Sequence, residues 1–228
     1  MPHPLVAELR RELQRAADPK RALAMQAYMK STMPFRGIAA PQLRQMQRQA
    51  FLRHPLDGFE PWQDAALTLW REAKYREERY CAVALVGFRL YRELQSLRCL
   101  PMYEEMIVTG AWWDTVDVLA GHQLGDLLRL HPAAMKRKML SWSRSRDLWK
   151  RRSSILCQLG FKAETDLDLL YACILQNAAA PEFFLRKAIG WALRQYAWTD
   201  AEEVRRFVAA HQAELSPLSR REALKNIG

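Results

Sequence analysis

The chain has 228 residues, of which half are hydrophobic and 26% charged, a globular composition rather than a disordered one. Thirty-five Lys and Arg against 25 Asp and Glu leave a formal net charge of +10, and 26 of those cations are arginine, whose planar fork suits phosphate. Nine glycines are too few for a barrel or sandwich built on many tight turns.

The N-terminal stretch MPHPLVAELRRELQRAADPK has no apolar core and carries Glu8 and Glu12, so it reads neither as a secretory signal nor as a transit peptide. The longest apolar run, Cys81 to Phe88, is too short to span a bilayer. A soluble, cytoplasmic protein with no membrane partner is expected. Behind Pro4, Leu5, Val6, Leu9 and Leu13 recur at helical spacing. Pro19, Pro41, Pro61, Pro132, Pro181 and Pro217 each precede periodic apolar residues, as prolines do in a first helical turn. No alternating strand pattern emerges. The pattern predicts about twelve helices of ten to twenty residues, joined by short loops.

Cys81, Cys99, Cys157 and Cys173 have irregular spacings without a CxxC, and His3, His54, His122, His131 and His211 are scattered. No metal site is expected, and the cysteines read as buried apolar residues. Neither a phosphate-binding glycine loop nor a GxSxG elbow occurs, and no cofactor is expected.

A weak internal repeat relates LWKRRSSILCQLGF from Leu148 to FFLRKAIGWALRQY from Phe183, with Trp149 and Phe184 35 residues apart and Trp112 37 residues before Trp149. A two-helix unit of this period predicts an all-α fold, a curved helical solenoid of HEAT-like repeats forming one domain over residues 1–228. An irregular helical bundle is the alternative.

Three constellations interrupt otherwise apolar faces. In GAWWDTVDVLAG, Gly110 is expected to end one helix and Trp112 to lie near the start of the next. Trp113 and Asp117 then share a face that continues through Ala120, Gly121 and Leu124, while Trp112, with Val116 and Leu119, reads as core. A carboxylate in an apolar stripe requires either a function or a basic partner on a neighbouring helix. Asp114 is a plain first-turn acid. In RKAIGWALRQY, Lys187, Trp191 and Arg194 form one stripe, a tryptophan flanked by cations. That suits phosphates and a stacked sugar or base, or else a ring covered by cationic stems. Gly190 permits close approach of another backbone. In WKRRSSI, Arg152 breaks the stripe of Leu148, Ile155 and Leu159, with Arg151 beside it, and either arginine could clamp a phosphate or lie along the surface.

These segments, together with HPLVAELRRELQ, AMQAYMK and PLSRREALKNI, resemble the bacterial HEAT-like-repeat alkylpurine DNA glycosylases, the AlkD type, over nearly the whole chain. WWDxVD followed about 70 residues later by KAIGWxLRxYA carries the resemblance most specifically. It implies a solenoid holding duplex DNA and hydrolysis of the glycosidic bond of cationic alkylpurines such as 3-methyladenine and 7-methylguanine. It places the catalytic aspartate at Asp117 and the active-site tryptophans at Trp113 and Trp191. Tyr28 matches a tyrosine near the lesion, and Arg152 and Arg194 match arginines on the DNA backbone. Lys187 and Arg151 are added to the DNA-binding set from the stripe pattern.

The resemblance further implies recognition through sugar and backbone with the base left in the duplex, and hydrolysis without strand cleavage. The expected protein is a monomer acting on double-stranded DNA that contains alkylated purines. A HEAT-type DNA-binding module without catalysis and a protein–protein scaffold are the competing readings.

Overall fold

The computed structural model describes residues 3–227. They contain fourteen α-helices and no strand, so the fold is all-α. The chain divides into two compact units, one reaching to Gln95 and the other starting at Ser96.

The first unit holds α1 (Pro4–Arg15), α2 (Pro19–Met29), α3 (Ala40–Arg53), α4 (Phe59–Arg71) and α5 (Arg76–Val86). Leu5, Val6, Leu9 and Leu13 form the buried stripe of α1, which packs on α3, α4 and α5. The Asp18 carboxylate caps α2 by accepting from the Arg21 amide. Glu77 is fully buried, and its carboxylate accepts the amides of Arg36, Gly37 and Ile38. These charge-assisted bonds hold the connection between α2 and α3.

The second unit comprises α6 (Leu100–Gly110), α7 (Trp113–Val118), α8 (Gly125–Leu130), α9 (Pro132–Ser143), α10 (Leu148–Leu156), α11 (Leu167–Leu175), α12 (Phe183–Tyr196), α13 (Ala201–Ala210) and α14 (Pro217–Leu224). The helices α7, α10, α12 and α14 begin 35, 35 and 34 residues apart. Each packs against the next in that order. This is the stacked-repeat architecture that the weak sequence period predicts. Short polar caps set the register: Asp147 accepts from the Trp149 and Lys150 amides, and Ser216 accepts from the Ser219 amide.

Several local expectations change. The helices run from six to fourteen residues, shorter and more numerous than the pattern suggested. One reason is a π-helical segment, Leu119–Leu124, which joins α7 to α8. Its wider turn shifts the register, so a 3.6-residue stripe drawn from Asp117 no longer holds beyond Val118. Pro19, Pro132 and Pro217 open their helices, but Pro181 lies two residues before α12, whose cap is Glu182. Gly110 does end α6, yet the left-handed residue that follows is Ala111, at φ 45°.

Candidate nucleic-acid site on the repeat helices

The α7 helix starts immediately after the left-handed turn at Ala111, with Trp112 as its extended cap. This places Trp113 in the first turn and Asp117 one turn later on the same face. Trp113 is 37% exposed. The Asp117 side chain keeps 13% of its surface open.

Asp117 has a partner on the next repeat. Arg152 Nε donates to Asp117 Oδ1 at 2.7 Å, and Nη2 donates to Oδ2 at 2.8 Å. The remaining nitrogen, Nη1, donates to the Phe184 carbonyl in the first turn of α12. Arg152 therefore ties three repeat helices together, with its side chain 5% exposed. The two residues occupy the same position, the fifth, of α7 and α10. Burial pushes the Asp117 carboxyl above the ordinary aspartate range, while the Arg152 hydrogen bonds and charge pull it back down.

The basic partner that the sequence left open as an alternative for Asp117 is thus Arg152 itself. All three guanidinium nitrogens of Arg152 are engaged within the protein. Arg151 is also held internally, by Asn177 Oδ1 at 2.7 Å and Glu182 Oε1 at 2.8 Å.

On α12, Trp191 is half-buried between Lys187 and Arg194 along the helix face. Glu222, from α14, reaches both cations: Oε1 lies 2.9 Å from Lys187 Nζ, and Oε2 accepts from Arg194 Nη1. The close approach depends on Gly190. A Cβ there would sit 2.4 Å from the Glu222 Cβ and 2.9 Å from the Ser219 carbonyl oxygen. Ser219 Oγ adds a bond to the Arg186 carbonyl at 3.0 Å. Tyr28 belongs to the other compact unit, on α2, where it is 79% exposed.

Sequence reasoning missed two parts of this arrangement. Glu222 enters the sequence reading only within the terminal motif, although it lies 35 residues beyond Lys187, the interval that separates Asp117 from Arg152. The second part is an aromatic cluster. Trp112, expected as plain core, is half-buried at the start of α7, with ring centroids 6.2 Å from Trp149 and 5.3 Å from Phe184. Trp149 and Phe184 are 5.2 Å apart, and the Arg152 guanidinium carbon lies 5.9 Å from the Phe184 ring. The recurrence of aromatics at repeat starts was the available signal.

Among the described residues, no group of three or more His, Cys, Asp or Glu side chains comes together in a way that could hold a metal ion. No helix among them is long and apolar enough to cross a membrane.

A stack of α-helical repeats that carries arginines, a lysine, two tryptophans and a desolvated carboxylate on its repeat helices defines the class of helical-repeat proteins. The DNA alkylation repair enzyme family profile matches residues 9–227, and the chain belongs to that family. A solved structure described as a predicted DNA alkylation repair enzyme from Enterococcus faecalis superposes with a TM-score of 0.82 at 29% identity, covering 93% of this chain and 97% of that one. No match was found among the curated proteins.

Proposed function

We propose that this protein hydrolyses the N-glycosidic bond of cationic alkylated purines, such as 3-methyladenine and 7-methylguanine, in duplex DNA and leaves an abasic site. A purine alkylated at N3 or N7 is positively charged and departs as a neutral base with the electron pair of the C1′–N bond. Little acid assistance is needed, and the barrier lies in the oxocarbenium charge that develops on the deoxyribose. A fixed carboxylate beside that sugar stabilises the charge. It can also orient the water whose oxygen bonds to C1′ and accept the proton released.

The observation that carries this reading is the state of Asp117: largely desolvated, and aimed by two hydrogen bonds from Arg152. Each carboxylate oxygen keeps a second lone pair for a water or for electrostatic work. Trp113, one turn before it and partly exposed, supplies an aromatic ring for a cationic sugar. Trp191 is assigned the same task on α12, and Lys187 and Arg194 the flanking phosphates. Arg152 acts chiefly through Asp117 in this account, with Arg151 and Tyr28 kept as contacts to DNA.

One observation favours the non-catalytic DNA-binding reading: the Asp117–Arg152 pair is also a good tie between repeats. Release of 7-methylguanine from methylated duplex DNA separates the two. Free 7-methylguanine together with intact, abasic strands supports the hydrolase. Tight DNA binding without release at micromolar protein supports the binding module.

A further inference from the structure

The cations assigned to phosphate on α12 are not free in this structure. Glu222 bridges them, one oxygen on Lys187 at 2.9 Å and the other on Arg194. Its side chain is 15% exposed, and Lys187 and Arg194 are 38% and 23% exposed, so the cluster is open enough to exchange partners. Glu222 cannot easily withdraw. Its Cβ is seated over Gly190, where even a methyl group would not fit, and Ser219 fastens α14 to α12 one turn earlier. Lys187 and then Arg194 hold the Glu222 carboxyl below the usual glutamate range, so it is ionised at neutral pH.

We propose that Glu222 is a built-in competitor for DNA phosphate on the α12 cationic face: an internal carboxylate that occupies Lys187 and Arg194 and lowers the affinity of that face for any duplex. This rests on the reading that Lys187 and Arg194 meet the DNA backbone. A phosphate that approaches them meets two cations already sharing one anion, a local charge of +1 rather than +2. It must either share the cations with Glu222 or displace it, and fewer counterions are released in exchange. The consequence is selectivity by weakening. Contacts from these cations to phosphates carry no sequence information directly and form on any duplex, so tempering them reduces residence on undamaged DNA. Contacts made by Asp117, Trp113 and Trp191 to a cationic sugar are untouched.

The test is the affinity of the full chain for an unmodified duplex, measured by fluorescence anisotropy across a salt series, for wild type, Glu222→Gln and Glu202→Gln. Glu202 is an exposed acid on α13, and its substitution alters the net charge equally, which separates a local effect from a global one. Glu222→Gln is expected to bind roughly five-fold more tightly at 0.15 M salt and to steepen the log K against log[salt] slope by about 0.9, one additional phosphate. Glu202→Gln is expected to change neither appreciably. Should Glu222→Gln not fold, Lys187→Gln reads the same claim. A lysine already shared with Glu222 lowers the slope by clearly less than ~0.9, whereas an unshared lysine lowers it by that full amount.

Unchanged or weaker binding by a folded Glu222→Gln, or a full-unit loss for Lys187→Gln, overturns the proposal. In both cases the wild type still binds DNA, so the DNA reading survives. A wild type with no salt-dependent binding to duplex DNA overturns both.

Discussion

Asp117 and Arg152 stand at the same position of consecutive repeat helices, 35 residues apart in sequence, and meet in a two-bond ion pair. A solenoid converts a sequence period into a spatial column, so residues at one phase of the repeat become neighbours. The next residue at that phase is Lys187, which is paired in turn with Glu222. The column therefore reads acid, cation, cation, acid.

Removing Arg152 leaves the Asp117 carboxylate buried without a partner. Arg152→Gln is expected to cost about 3–5 kcal/mol of stability. For a chain of this length that lowers Tm by roughly 6–20 °C, read by calorimetry. A loss under 1 kcal/mol would show that Asp117 finds other compensation.

The Asp117 carboxyl lies above its ordinary value of 3.8 because burial outweighs the influence of Arg152. The native state thus holds this proton to higher pH than the unfolded chain does, so the stability that Asp117 contributes falls as pH rises through that window. In the proposed mechanism Asp117 acts in its ionised form. The acid limb of kcat/KM is expected to titrate above 3.8 and to move further upward in Arg152→Gln, where the lowering influence is gone. A limb at or below 3.8 would contradict this.

Gly190→Ala is expected to destabilise by about 1–3 kcal/mol, because its methyl group meets the Glu222 Cβ and the Ser219 carbonyl rather than flexible side-chain ends. Thermal melting checks this. An unchanged Tm would mean that α14 can move off α12 at little cost.

Trp113 is exposed enough that its truncation should spare the fold. Trp113→Ala is expected to lower kcat/KM by roughly 2- to 30-fold, the worth of one cation–π contact, with Tm nearly unchanged. Steady-state kinetics beside a melting curve reads both. Equal loss of stability and activity would make Trp113 a packing residue instead.

What was legible in the sequence follows from which physics acts along a single helix. Leu5, Leu9 and Leu13 revealed their buried face through spacing alone, and the 35-residue offset between Trp149 and Phe184 revealed the stack. A helical stripe relates residues one or two turns apart, so Asp117 and Lys187 stand out in it, whereas Arg152 and Glu222 arrive from the next helix. The π-helical segment after Val118 was invisible for a similar reason, since a fixed 3.6-residue period assumes its absence. Ala111 in the left-handed region was missed because glycine is the usual occupant and Gly110 stood beside it.

In the proposed mechanism Asp117 performs the chemistry and is not only a tie between repeats. Asp117→Asn preserves shape and can still accept one of the two Arg152 hydrogen bonds, but it sets an amide N–H against the other and removes the negative charge. Single-turnover release of 7-methylguanine from methylated duplex DNA, with binding measured in parallel, tests this most directly. The rate is expected to fall by about 10²-fold or more with duplex affinity retained. Release at the wild-type rate by a folded Asp117→Asn would contradict it.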